Sequence, residues 1–578
     1  MLDYLISGAT IIDGTGAAAV RGDVGVRDGR IVAVAVGDPG GIDEPAATTF
    51  DADGLIVAPG FIDPHTHYDA QLFWDPFATP SNVHGVTTVI GGNCGFTLAP
   101  IRAEDGDYVR RMMAQVEGMP LAALESGVEW KWESFAEYLA ALEGNVAVNA
   151  GFLVGHCAVR RYVMGAEAIG GKASDAQLEA MVGVLHESIE AGGLGFSTTL
   201  SSSHKDGDGQ PVASRHATKE ELLALCAAVS EHEGTTLEGI VQGCLDTFSD
   251  EEIELLVDMT VAAGRPLNWN VLTIDSRVPD RVPRQLEAST RATEAGGRII
   301  ALTMPVLVPM NMNFGTYCAL NMLPGWGEIL SLPIPERMAK LGDPDVRRGM
   351  IERANSKEAG VFRRLADFKR YVIGDTFSAA NEGLKGRVVG ELAEERGVDA
   401  FDLLVEIVCN DDLRTVLWPM PPDNDPDTWA LRTEVWADDR AMLGGSDAGA
   451  HLDRMCGAPY TTRFVADMIR GRKLVSVERA VQMITDAPAQ LFGLRDRGRI
   501  APGYHADLVV FDPETIGSEP ATLVRDLPGG AARLTADSIG VVRVLVNGVE
   551  TVVDGKATGA TPGTILHSGR DTRTVATI

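Results

Sequence analysis

His65 and His67 stand two apart in Gly60-Phe61-Ile62-Asp63-Pro64-His65-Thr66-His67. Alternate residues of a strand face the same side. The two imidazoles can therefore aim at one point, which is what a bound divalent metal requires. Two unrelated strand-end histidines are the competing reading, and the Gly-Phe-Ile-Asp-Pro lead-in weighs against it. His156 with Arg160 can orient a substrate or hold a strand end, and the residues leave both readings open. A Gly-rich stretch, Ser201-Ser202-Ser203-His204-Lys205-Asp206-Gly207-Asp208-Gly209, suits either a loop that closes on substrate or a plain surface turn. Within reach of it, Lys205 or Arg215 can pair with a substrate carboxylate, the arginine in bidentate form. The Asp-x-Asp-Gly pattern invites calcium, but the glutamate expected at the end of an EF-hand loop is missing, so calcium is rejected.

These residues need a frame. Short apolar or β-branched runs recur at Gly60–His67, Thr87–Cys94, Val146–His156, Leu194–Thr199, Thr235–Val241, Leu267–Thr273, Arg298–Val306 and Met442–Asp447. Helical periodicity separates several of them, as in Asp175–Ala191, Lys219–Glu233 and Asp250–Ala263. Alternating units with buried strands predict an α/β chain, and eight units predict a (β/α)8 TIM-like barrel. The seventh and eighth strands are separated by a long insertion, about 307–440, rich in Pro, Trp and Met and carrying helical stretches such as Asp399–Ile407. It must have structure of its own; a lid or substrate subdomain and a structural or subunit-contact insertion are the two readings. Both chain ends are β-rich and punctuated by Asp-Gly or Asn-Gly turns. The expected organisation is thus a small β-sandwich from 1–59 and 491–578 around a barrel at 60–490.

The chain has 578 residues, with 50 Lys+Arg against 81 Asp+Glu and a formal charge of −31. That balance argues against nucleic acid, which needs a basic face, and against anionic membrane surfaces. Met1–Gly8 has neither a basic stretch nor a long apolar core, and no apolar run approaches the ~20 residues of a spanning helix. The seven cysteines are scattered without Cys-x-x-Cys spacing. Together these predict a reduced, cytoplasmic protein that acts on a small molecule.

The sequence resembles the amidohydrolase superfamily, and within it the N-acyl-D-amino-acid deacylase family. Besides the histidine pair, four stretches carry the resemblance: Gly85–Phe96 with Gly-Gly-Asn-Cys-Gly, Leu153–His156 with Arg160, Gly444-Gly445-Ser446-Asp447-Ala448-Gly449-Ala450-His451, and Asp496–Leu508. The resemblance implies a metal-dependent hydrolase of C–N amide bonds, with its barrel beside a small β-sandwich. His65 and His67 match the first-strand pair. Cys94 matches the cysteine that replaces a bridging carboxylated lysine in related enzymes, and a thiolate is a strong zinc ligand. Asp447 matches the aspartate ending the eighth strand, where it can touch metal and shuttle a proton; His451 follows as a substrate-side residue. The family normally supplies two more histidines, after the fifth and sixth strands. Here those strands read Thr235-Thr236-Leu237-Glu238-Gly239-Ile240 and Leu267-Asn268-Trp269-Asn270-Val271. Glu238 can replace one ligand, whereas Asn270 can hydrogen-bond but binds zinc poorly. One tight zinc site is expected rather than two. The expected substrate is an N-acyl-D-amino acid; a cyclic amide, imide or ester, and a relative that only binds, are the alternatives. A carboxylate-bearing substrate needs positive charge inside a protein of −31, from metal, His204, Lys205, Arg160 or Arg215. The large insertion offers a surface for self-association.

Overall fold

A computed structural model describes residues 1–37, 41–316 and 318–577. Two parallel sheets, of three and six strands, run in sequence order. Phe61–Asp63 pairs with Val86–Gly91, and that strand with Asn149–Phe152. After a break at Leu153 the chain continues as Val154–Gly155, which pairs with Gly195–Thr199. Thr236–Ile240, Leu267–Trp269, Ile299–Thr303 and Ala441–Leu443 follow, each parallel to the last. First and last strands meet beyond their ends through a parallel bridge between Thr66 and Ala448, where His67 N donates to Ala448 O at 2.7 Å. Val86–Gly91, Gly195–Thr199 and Thr236–Ile240 are buried at every position. Burial on both faces is why their sequences read as unbroken β-branched and small-residue runs rather than alternating ones.

The intervening helices begin where side chains cap them. Ser174 and Ser249 close reciprocal capping boxes with Gln177 and Glu252, starting Asp175–Glu190 and Asp250–Ala263. Thr218 caps Lys219–Val229. That helix stops four residues short of the expected Glu233, because the chain must turn at Gly234, with φ +69°, to enter the next strand.

Both ends of the chain share one mixed nine-stranded sheet. Ile56–Pro59 is its joint: it runs parallel to Leu2–Ile11 and antiparallel to Leu508–Phe511. Ile6, Val24, Val57, Leu508 and Leu545 bury one face. Residues 560–573 leave this sheet. Gly563 N donates to Val146 O, Leu566 N to Ala150 O and Thr572 Oγ1 to Gly234 O, so the tail lies along the starting ends of parallel strands. These residues belong to the 491–578 stretch expected in the terminal β-sandwich, and their lack of alternation follows from the partner they take.

The chain divides into two compact units, one of them Leu307–Pro426 with Asp453–Met455. This unit has its own core, in which Trp326 stacks on Phe368 at 5.7 Å and donates its indole N–H to Met350 O at 2.9 Å. Helix Ala400–Asn410, capped by Asp399, forms where periodicity predicted it. The insertion ends about 14 residues earlier than the expected 440. Helix Pro426–Trp436 belongs largely to the other unit because Trp429, Val435 and Trp436 are buried there, Trp436 edge-on to Phe464 at 5.5 Å. No helix among the described residues is long and apolar enough to cross a membrane.

Candidate metal centre

Three parallel strands deliver the first set of side chains, and backbone-directed polar groups hold their ends. Thr66 Oγ1 donates to Ile90 O at 2.8 Å, and Asn93 Nδ2 donates to Thr66 O and Ile90 O at 3.1 and 2.9 Å. Ser446 Oγ donates to Asp63 Oδ2 at 2.5 Å and accepts from Ala448 N at 3.0 Å. The first, second and eighth strand ends are therefore fixed to one another before any ligand is considered. Gly92, with φ +71°, follows from this crowding: a Cβ there would lie 2.2 Å from Leu153 O. Gly449, with φ +93°, passes the His67 carbonyl in the same way, with 2.5 Å to an added Cβ.

His65, His67 and Cys94 are buried, and their ligand atoms all lie within 4.8 Å of one another. Cys94 Sγ is 3.5 Å from His65 Nε2 and 3.9 Å from His67 Nε2. Asp447 Oδ1 is 3.4 Å from His65 Nε2 and 4.0 Å from His67 Nε2. Tetrahedral ligation with bonds of about 2.0–2.3 Å places ligand atoms roughly 3.3–3.8 Å apart; the two separations to His65 fall in that range, and the two to His67 lie 0.1–0.2 Å beyond it. Cys94, Asp447 and His451 all have positive φ, at 57°, 52° and 52°. Non-glycine residues there carry backbone strain of about 1 kcal/mol or more each, typical of functional sites.

The fifth and sixth strands supply Glu238 and Asn270. Glu238 Oε2 accepts from Cys94 N at 2.8 Å, and Asn270 Nδ2 donates to Asp447 Oδ1 at 3.1 Å. Glu117 is a participant that the sequence did not point to. It lies at the end of helix Gly106–Val116, is 3 % exposed, and places Oε2 3.5 Å from His67 Nε2.

The electrostatics have one cause. Burial holds both imidazoles neutral, His65 down at about 3 and His67 well below its usual value, with other histidines adding to the effect. Burial also raises the acids. Asp447 moves up to about 7 against the opposing Asn270 bond, and Glu238 to about 8 against the Cys94 N–H. Glu117 and the Cys94 thiol are pushed well above their ordinary ranges, by burial first and then by the neighbouring acids. Among the described residues no lysine or arginine pairs with Glu117, Glu238 or Asp447. Glu117 Oε1 and Glu238 Oε1 are buried without hydrogen-bond partners. Two neutral imidazoles, a thiol and three carboxyls that cannot all ionise together form a donor set that suits a divalent cation.

The other expected residues divide. His204 is half-buried beside the centre: its ring meets Phe96 edge-on at 5.3 Å, and its Nδ1 is 2.8 Å from Thr199 Oγ1. Arg215 supports that loop, Nη1 donating to His204 O at 3.2 Å. Lys205 is exposed. Asp206 and Asp208 serve the turn, Asp206 Oδ1 accepting from Asp208 N and Gln210 N while Asp208 pairs with Arg111. His156 and Arg160 are completely buried on Glu221, at 3.0 and 2.8 Å. His156 Nδ1 is also 2.9 Å from Thr198 Oγ1, and Arg160 donates to Ala168 O and Gly171 O. Of the two readings left open for this pair, the geometry favours the structural one: both side chains are consumed in joining helices His156–Met164 and Lys219–Val229.

The sequence profile of the amidohydrolase family matches residues 48–558. The chain is 30% identical over 568 residues to a D-aminoacylase from Alcaligenes xylosoxydans xylosoxydans, covering 98% of this chain and 97% of that one. Among solved structures, it is similar to a D-aminoacylase described as having a binuclear metal centre with one-metal activation and second-metal attenuation. The TM-score is 0.64 and the identity 26%, over 98% of this chain and 100% of that one. It is also similar to the N-acyl-D-glutamate deacylase of Bordetella bronchiseptica, complexed with zinc and a phosphonate mimic of the tetrahedral intermediate. There the TM-score is 0.63 and the identity 25%, over 98% and 100% of the two chains. The chain belongs to the amidohydrolase family, on its D-aminoacylase branch.

Proposed function

We propose that the protein is a zinc-dependent deacylase that hydrolyses the amide bond of N-acyl-D-amino acids. The convergence of His65, His67, Cys94 and Asp447 at the ends of three mutually locked strands carries this reading. The relatives support it over a cyclic amide, imide or ester substrate and over a non-catalytic role. We read the parallel strands as a (β/α)8 barrel with the site at its C-terminal face, and the terminal sheet as a separate β domain. One tight metal held by His65, His67, Cys94 and Asp447, with Glu238 beside Cys94, is the arrangement we infer.

A divalent ion held there supplies Lewis-acid polarisation of the scissile carbonyl and a lowered pKa for water. Asp447 takes a proton from the attacking water and gives it to the leaving nitrogen as the C–N bond breaks. Asn270 holds Asp447 by its Oδ1, which leaves Oδ2 to carry the proton. Arg215 uses only Nη1 on its own loop among the described contacts, so the rest of its fork is available to a substrate carboxylate beside His204 and Lys205.

Assay on paired N-acetyl-D- and N-acetyl-L-amino acids tests the reading. Release of the D-amino acid with at least about 100-fold preference over the L form, a selectivity of ~2.7 kcal/mol, is the expected result. Equal turnover of both enantiomers, or turnover of cyclic imides alone, overturns it.

A further inference from the structure

We propose that Glu117, carried on a helix end rather than on a barrel strand, is a direct ligand of the metal held by His65, His67 and Cys94. The proposal rests on the reading of this cluster as a metal centre and adds a ligand that the strand-end motifs do not contain.

The placement of Glu117 is unfavourable by two independent criteria. It is 3 % exposed with no lysine or arginine paired to it among the described residues, and burying an uncompensated carboxylate is costly. It also occupies the C-cap of the eleven-residue helix Gly106–Val116, where the macrodipole is negative and a cation is preferred. A cation from outside the chain compensates both. The side chain is also aimed: Oε2 stands 3.5 Å from His67 Nε2, a separation that two ligands of one ion can take. Oε1 is buried with no partner. The backbone is held from both sides, Glu117 N donating to Met113 O at 3.0 Å and Glu117 O accepting from His451 N. The carboxylate is thus fixed by the helix on one side and by the loop after the eighth strand on the other. Asp69, also buried nearby with an unpartnered Oδ1, gives its Oδ2 to Gly92 N at 3.2 Å and, unlike Glu117, has no ion pair or hydrogen bond to His65 or His67 among the described residues.

The test uses the full chain stripped with chelator and reloaded with zinc or cobalt(II). Zinc affinity is read by competition with a chromophoric chelator, and the cobalt form by its thiolate charge-transfer and d–d bands. Glu117→Gln is expected to weaken zinc binding about 100-fold or more, beyond the 10–100-fold typical of residues that only support a ligand. It is also expected to shift the d–d bands while the Cys94 charge-transfer band persists. Glu117→His, which restores a donor, is expected to recover most of the affinity, and it decides the matter if the glutamine variant does not fold. Wild-type affinity in Glu117→Gln, weakened affinity with unchanged d–d bands, or no recovery in a folded Glu117→His overturns the assignment. A wild-type chain that takes up no metal overturns the metal centre itself, a separate outcome.

Discussion

The proposed mechanism asks two things of Asp447 at once, to sit among metal ligands and to carry a proton, and its surroundings separate the two by oxygen. Oδ1 faces His65 at 3.4 Å and accepts from Asn270, while burial lifts the group to about 7, close to what a proton shuttle needs. Asp447→Asn keeps an oxygen at the first position and removes the proton-carrying group at the second. The expected outcome is a kcat lower by about 10²–10⁴ with zinc content near that of the wild type; turnover within a few-fold of wild type removes Asp447 from the proton path. The His65 and His67 pair could be read from its own spacing, whereas Cys94 and Asp447 were reached through the resemblance of the glycine-punctuated motifs that hold them. Glu117 was reached by neither route. It closes an ordinary helix in the long excursion between the second and third parallel strands, and only folding shows that it is buried against His67. The single available signal was a carboxylate where a helix C-terminus prefers a base.

The elements that carry these side chains are held by polar joints as well as by packing. His84, in the turn before Val86–Gly91, is fully buried between Thr462 of helix Tyr460–Ile469 and the Ala536 carbonyl, at 2.7 and 3.0 Å. A carbonyl only accepts, so Nε2 carries the hydrogen and Nδ1 accepts from the threonine. Burial, aided by Arg463, lowers this histidine from 6.5 to about 4, against the opposing carbonyl bond. Between those values the unfolded chain binds a proton that the folded chain does not, so stability falls as pH falls, by about 1.4 kcal/mol per unit. On going from pH 7.5 to 5.5, wild type should lose roughly 1.3 kcal/mol more than His84→Asn does. Parallel urea titrations of the two proteins check this, and equal losses reject it. Element starts marked by Ser, Thr or Asp caps were readable to within a residue, because the cap is local chemistry. The ends of helix Lys219–Val229 and of the insertion were not, since a following turn or distant aromatic packing sets them.

At the scale of the molecule, the charge of −31 makes each arginine's placement informative. Arg160 and Arg497 are 0 % and 4 % exposed and consumed in structure; of the cations expected to meet a substrate carboxylate, Arg160 is therefore engaged elsewhere, and the proposed role falls to the metal, His204, Lys205 and Arg215. Arg497 belongs to the Asp496–Leu508 stretch that helped carry the family resemblance, and its part is architectural. It forms a buried ion pair with Asp507, whose Oδ2 also accepts from Asn149 Nδ2 at 3.1 Å and whose Oδ1 accepts from Asn547 N at 2.8 Å. Asn547 Nδ2 continues to Asn149 Oδ1 at 3.0 Å and to Pro562 O at 2.9 Å. The third parallel strand, the terminal sheet and the C-terminal tail therefore meet at one buried polar knot. Arg497 and Asp507 lie ten residues apart in one motif, but no local sequence pattern could announce that Asn149, more than 350 residues away, completes the knot. Breaking such a pair by removing one partner leaves a buried charge uncompensated, which costs about 3–5 kcal/mol. Arg497→Ala should lower the first urea transition by that amount and expose residues 560–573 to proteolysis, while zinc content below the transition stays at the wild-type level. Asp507→Asn leaves Arg497 buried without its counter-charge and sets an amide N–H against groups that donate, so it should cost about as much as Arg497→Ala. A loss under about 1 kcal/mol in Arg497→Ala would show that the two asparagines hold the joint alone.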